Sequence, residues 1–185
     1  DGFEEVFAVN YLAVFLLTRL LLDRLKASAP SRILNVNSKG HQFGGLDLND
    51  LHWEKRRYRG LKGYGASKTA GIMFTRELAD RLNGTGVSVL MAHPGEVLSN
   101  IGLNNGPIYR LFRKLLIDRM LKPTSLSGAA MFYLAASPAV ECESGRYFNM
   151  TNLEKPARHA LDRSMGRTLW MISEQLTGLG STPTV

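Results

Sequence analysis

The sequence predicts an α/β fold, a doubly wound parallel sheet, and the prediction rests on three observations. Short apolar runs of strand length alternate with longer segments of helical periodicity. That alternation implies parallel strands joined by right-handed crossovers, with helices on both faces of the sheet. The 185 residues, 44% hydrophobic and 21% charged, suffice for one substantial core and exclude a disordered tail.

The elements follow in order. From Phe3 to about Lys26 apolar residues dominate, among them Val6, Phe7, Leu12, Phe15, Leu16 and Leu20, so a helix here must bury most of its surface. Glu4, Glu5, Asn10, Arg19, Asp23 and Arg24 interrupt the run before 20 clean residues, which favours a core or interface helix over a membrane span. Ser31-Arg32 lead into Ile33-Leu34-Asn35-Val36-Asn37, a run that suits a strand covered on both faces. Ser38 closes it. Lys39 to Leu61 is polar, glycine-bearing and reads as a long loop, the kind that often carries function. A helix is expected from about Tyr64 to Leu82, stopped by Gly84, and then a strand over Val87 to Met91 leading to His93-Pro94-Gly95. A Gly/Asn loop, a basic amphipathic helix near Ile108 to Met120 and a helix near Ser125 to Ala136 come next. A short strand near Arg146 to Phe148 and a helix from about Ala160 to Leu176 complete the set, with no internal repeat.

Charge is less informative than its size suggests. The net charge is +7 and the pI 9.8, which invites nucleic acid, an anionic surface or a phosphate-bearing ligand. The basic residues fall in two clusters, Lys55 to Lys62 and Arg110 to Lys122, and neither interleaves aromatics as a base-stacking platform does. Solvated faces are the expectation, with no nucleic-acid partner. Cys142 is the single cysteine, so no internal disulfide forms and a reducing, cytoplasmic setting is expected. Asp1-Gly2-Phe3-Glu4-Glu5 is acidic where a signal peptide would be basic, and the absence of an initiator Met is expected of a chain that begins inside a longer protein. His41, His52, His93 and His159 show no metal-ligand grouping and read as structural or exposed.

The chemistry concentrates on Tyr64 and Lys68, four residues apart on one helical face, with Ser38 at the end of a strand. An unperturbed phenol titrates near 10, and bringing one to neutral pH takes roughly 4 kcal/mol of differential stabilisation. A close ammonium together with a cationic cofactor ring is enough. Tyr64, Lys68 and Ser38 together read as acid/base machinery. Each residue also has an ordinary reading: a half-buried aromatic, a turn-capping hydroxyl and a solvated lysine. Asn10 is a poor mid-helix residue and is expected to have a specific partner.

Asn10 in the first helix, Ser38 after a strand, Tyr64-x-x-x-Lys68 and Pro94-Gly95 after the next strand form an ordered set that resembles the catalytic half of a short-chain dehydrogenase/reductase, a Rossmann-like fold. The phrasing is most similar to the retinol dehydrogenase-like branch, through Asp1-Gly2-Phe3-Glu4, Phe74-Thr75-Arg76-Glu77-Leu78-Ala79 and Arg167-Thr168-Leu169-Trp170. The resemblance covers nearly the whole chain and implies an NAD(P)-dependent oxidoreductase, with NADP or NAD as cofactor. It implies Tyr64 as the general acid/base, with Ser38 holding the reacting oxygen. It implies that Lys68 also binds the nicotinamide ribose alongside Tyr64, and that Asn10 organises a water-linked proton path to the lysine. It further implies that Pro94, Gly95 and Val97 meet the nicotinamide amide, while Ser99 stands at a usual threonine. Asn37 occupies a position where the family often has serine, and Gly65 is an unusual opening residue for a helix.

By the same resemblance, Ile108 to Met120 corresponds to a lid over the pocket, suited to a lipophilic alcohol or carbonyl. An amphipathic surface helix and a membrane-surface role are the other readings of that segment. The family's Gly-rich cofactor turn has no counterpart here, because none of Gly44-Gly45, Gly102 or Gly106 follows a strand and opens a helix. The expectation is therefore a fold incomplete at the amino terminus, with residues 1–185 as the carboxyl-terminal catalytic part of one domain. A noncatalytic interaction module is the alternative. The apolar faces of the first helix and of the Tyr64 helix suggest a homodimer.

Overall fold

A computed structural model of the chain describes residues 2–96 and 123–180. Its centre is a four-stranded sheet in the order β1 (Ser31–Val36), β2 (Val87–His93), β3 (Tyr147–Asn149) and β4 (Asn152–Leu153). β1, β2 and β3 are parallel, with Ile33 opposite Val89 and Ala92 opposite Phe148. β4 corrects the all-parallel expectation: it turns back through Met150, a residue at φ 55°, and pairs antiparallel with β3. At two residues, β4 is below the length at which a sequence pattern can register.

The period-2 alternation of the strands sorts the core into two layers. Val87 and Val89 face one side, where they join α1 (Glu5–Ala27), α2 (Gly60–Arg81) and α4 (Arg163–Leu176). Leu90, Ala92 and Phe148 face the other, against Leu134 of α3 (Thr124–Ala136). The doubly wound layering predicted from the alternation of elements is therefore present.

α1 is 23 residues long with mean hydropathy 1.7 over its most apolar window, enough by length and composition to cross a membrane. Here it serves the core. Phe7, Tyr11, Leu12 and Phe15 are buried, the Tyr11 hydroxyl bonds Ser173 Oγ of α4 at 2.7 Å, and Arg19 pairs with Glu174. Phe15 and Phe74 enclose the Trp170 ring, while the guanidinium groups of Arg19 and Arg81 lie 4.9 and 4.2 Å from its centroid. The opposite face of α1 is bare, with Val9, Leu17 and Leu20 each at least 60% exposed. The helix starts where Glu4 accepts bonds from the nitrogens of Val6 and Phe7, and it contains a π turn over Ala8–Leu12.

Three boundaries move. The second strand runs on to His93, which stays buried and paired beside β3. α2 opens at Gly60, so Tyr64 sits in its second turn rather than at its head. The last helix is preceded by a 3-10 turn, Arg158–Leu161, and starts at Arg163, capped by Asp162 Oδ1 accepting from Met165 N at 2.9 Å. The helix expected near Ile108 to Met120 lies outside the described residues.

Candidate active site

The site forms where β1 ends and α2 passes beneath it. Ser38, half-buried, caps a 3-10 turn over Lys39–Phe43, its hydroxyl accepting from Gly40 N at 3.0 Å. Gly40 matters for what it lacks. A Cβ there would stand 2.4 Å from the Tyr64 ring and 3.3 Å from Ser38 Oγ, so the phenol ring and the serine hydroxyl both border one bare Cα. Gly65 has a matching reason: a Cβ on it would lie 2.6 Å from Gly44 N and 3.0 Å from Gly40 O. The poor helix former is thus what lets α2 seat itself against the Ser38 turn.

Lys68 is half-buried one turn further on, its Nζ 5.4 Å from the Tyr64 ring centroid. Burial pushes its ammonium down from the ordinary lysine value. Among the described residues it makes no ion pair or side-chain hydrogen bond. It lines a cleft of about 280 Å³ with Asn10, Val36, Asn37, Ser67 and Gly71. Asn10 has the specific partner its helical position called for: its Nδ2 donates to Ser67 Oγ at 3.2 Å, and Ser67 donates to Tyr64 O at 2.8 Å. The π turn carries Asn10, in keeping with the frequent placement of such bulges at functional sites.

Asn37 ties strand to helix. Its Oδ1 accepts from Ser38 N at 2.6 Å and its Nδ2 donates to Lys68 O at 3.0 Å, so the residue that replaces a frequent serine couples both sides of the site. At the end of β2, Gly95 takes φ 79°, a region that favours glycine, and donates its N–H to His93 Nδ1 at 3.2 Å beside Pro94. Val97 and Ser99 lie outside the described residues.

The groups behind this arrangement include histidines that the sequence reads only as structural or exposed. His41 and His93 are buried on either side of the Tyr147 ring, at 5.3 and 5.7 Å between centroids. Burial pushes the Tyr147 phenol up and holds His41 below the ordinary histidine value. His159 reaches His41 O at 2.9 Å, and Thr69 of α2 donates to Gly44 O at 2.9 Å. These partners lie up to 118 residues apart, so no local pattern announces them. Among the described residues no group of His, Cys, Asp or Glu has the arrangement to hold a metal ion.

Comparison with known proteins bears on the family and the fold. The family model described as short chain dehydrogenase matches residues 52–107. The chain is 41% identical over 183 residues to Retinol dehydrogenase 13 of Mus musculus, covering 97% of this chain and 55% of that protein. It is 47% identical over 182 residues to Retinol dehydrogenase 14 of Mus musculus, covering 97% of this chain and 54% of that one. The chain thus spans about half the length of these relatives. A crystal structure of an uncharacterized protein from Mycobacterium Paratuberculosis superposes with TM-score 0.73 at 31% identity, covering 96% of this chain and 60% of that one. NADPH-bound carbonyl reductase from chicken fatty liver shares the fold, with TM-score 0.59 at 24% identity over 83% of this chain and 56% of that one. The chain belongs to the short-chain dehydrogenase/reductase family, with its Rossmann fold. Within that family it falls in the retinol dehydrogenase-like branch.

Proposed function

We propose that residues 1–185 are the carboxyl-terminal catalytic part of a single-domain NAD(P)-dependent oxidoreductase that interconverts an alcohol and a carbonyl on a lipophilic substrate. One observation carries the reading: the Tyr64 ring and the Ser38 hydroxyl both border the bare Cα of Gly40, with the Lys68 ammonium 5.4 Å from the Tyr64 ring centroid. Ser38 holds the substrate oxygen while Tyr64 delivers a proton to it in reduction or removes one in oxidation. Lys68 places its ammonium beside the phenol ring, and Asn10 stabilises the turn of α2 between them through Ser67.

The residues present suit the nicotinamide end of a dinucleotide. An ammonium with no carboxylate partner among the described residues, amide and hydroxyl groups around it, and a glycine turn at the carboxyl end of a parallel strand match ribose hydroxyls and a carboxamide. The bound nicotinamide would supply or accept the hydride. Lys68 and Tyr64 would face its ribose, and Pro94-Gly95 with Val97 and Ser99 its amide. A cytoplasmic setting suits the single exposed thiol of Cys142.

A second reading has its own support. The exposed apolar stripe of Val9, Val14, Leu17, Leu20 and Leu21 on α1 favours association with a second copy, in an active homodimer or in a noncatalytic module. Fluorescence titration of NADH and NADPH against this chain and against the full chain encoded by its gene separates the two. Saturable binding by the full chain, with turnover abolished in Tyr64→Phe, supports the oxidoreductase. Binding by neither form favours the module.

A further inference from the structure

We propose that His41 is a positioning residue of this site, whose ring Nδ1–H fixes the carbonyl of Ser38 and thereby the approach of the Ser38 hydroxyl to Tyr64. The inference rests on the oxidoreductase reading above and extends it to a residue outside the catalytic set.

His41 is wholly buried, and its ring has two backbone partners of opposite sense. Nδ1 lies 2.9 Å from Ser38 O, which only accepts, and Nε2 lies 3.1 Å from Ala157 N, which only donates. The ring must therefore be neutral with its proton on Nδ1. The Tyr147 hydroxyl lies further off, 3.5 Å from Nδ1, so the two shorter polar contacts of the ring come from the backbone of the Ser38 turn and of the segment that backs it, which packing alone does not require. The imidazole bridges that turn to Ala157, just ahead of the 3-10 turn that leads to α4. The carbonyl of His41 is held in turn by His159 Nε2 at 2.9 Å and approached by Thr69 Oγ1 at 3.3 Å.

The geometry gives this clamp a catalytic consequence. Ser38 is followed by Lys39 and then by Gly40, whose bare Cα borders the Tyr64 ring, so a small rotation of the turn changes the distance between hydroxyl and phenol directly. Misplacement by about 1 Å costs on the order of 100-fold in rate. The charged and titratable groups facing the imidazole are His159, His93, Glu154, Tyr147 and, beyond Tyr147, Tyr64. None of them is a carboxylate in contact with the ring, so the clamp works as a fixed neutral donor and takes no part in proton transfer.

The test uses the full chain encoded by its gene, with decanal and NADPH or NADH as probes. His41→Asn keeps an amide N–H near the Nδ1 position, His41→Gln shifts the amide towards Nε2, and His41→Ala removes both. His41→Ala and His41→Gln are expected to lower kcat by roughly 10- to 100-fold, with NAD(P)H affinity within about 3-fold of wild type. His41→Asn should recover kcat to within about 5-fold. Ring 15N NMR of the unmodified protein should show a protonated Nδ1 and a bare Nε2. The proposal is overturned if His41→Ala keeps kcat within about 2-fold, or if His41→Asn is no better than His41→Gln. That second comparison decides the matter where the alanine variant does not fold. A ring protonated on Nε2 overturns it independently of turnover. Tyr64→Phe assayed alongside distinguishes the two levels. Full activity in that variant removes the oxidoreductase reading and this inference with it, whereas its loss with normal His41 variants removes the inference alone.

Discussion

The Ser38 turn and the Lys68 cleft are adjacent, yet their polar groups are satisfied to different degrees. On the turn, the carbonyls of Ser38, His41 and Gly44 and the nitrogens of Ser38 and Gly40 all have partners, supplied by Asn37, His41, His159, Thr69 and Ser38 itself. At the cleft, the Lys68 ammonium has none among the described residues, and β1 beside it pairs on one edge only, with Val36 60% exposed. Parallel strands are ordinarily enclosed on all sides. The contrast teaches that the turn's polar groups are satisfied within the described residues while the Lys68 cleft is left open, the division expected under the proposed function if the turn serves proton transfer and the cleft the cofactor. A chain spanning about half the length of its relatives is consistent with that division.

The sharpest way to break the comparison is Lys68→Met. Turnover of the full chain should fall about 1000-fold, the scale of a lost acid/base group. Removing a half-buried, unpaired ammonium should at the same time stabilise the cofactor-free chain by on the order of 1 kcal/mol, or roughly 2–4 °C in Tm. A fall in both quantities would make Lys68 a structural partner and erase the distinction between the two sides. Next in size is Gly65→Ala. Its new methyl group meets the backbone of Gly44 and Gly40 and not a flexible side chain, so urea unfolding should show a loss of about 1–3 kcal/mol. An unchanged midpoint would mean that the turn is free to retreat from α2.

Asn37→Ala probes the link between the sides. It deletes the acceptor for Ser38 N and the donor to Lys68 O inside a buried pocket, an expected loss of about 1–3 kcal/mol in urea unfolding. If Asn37→Ser, which restores the residue common in the family, costs as much as alanine, then the bridging role belongs to the asparagine amide specifically.

The uneven legibility of the molecule follows from how far apart its contacts lie in sequence. Tyr64-x-x-x-Lys68 was readable because helical geometry brings neighbours four residues apart together, and the core strands were readable because they are nearly continuous apolar runs. Asn10 stood out as a polar residue in an apolar helix, although the π turn that carries it leaves no compositional trace. Gly65 looked like a defect until its neighbour was known, since a glycine that admits another segment's backbone differs from a merely poor helix former only in three dimensions. His41 was unreadable for the same reason. Its partner Ala157 is 116 residues away, and Tyr147, whose ring packs against it, lies on β3, beyond α2, β2 and α3 in sequence.

The smallest effect expected distinguishes the two sides by the pH window in which each responds. Burial holds His41 below its ordinary value of 6.5, so the folded chain resists a proton that the unfolded chain accepts. Its contribution to stability is complete above about 6.5 and is lost as pH falls through the lower folded value, at no more than about 1.4 kcal/mol per pH unit. His41→Asn, which cannot titrate, should flatten the urea-midpoint profile below about pH 6.5. Lys68 is also held low by burial, from 10.5, so its contribution is complete above that value and declines as pH falls through the folded one. The turn therefore reports at the acid end and the cleft at the alkaline end. An acid profile identical in wild type and His41→Asn would show that the buried imidazole is not what makes the Ser38 side sensitive to protons.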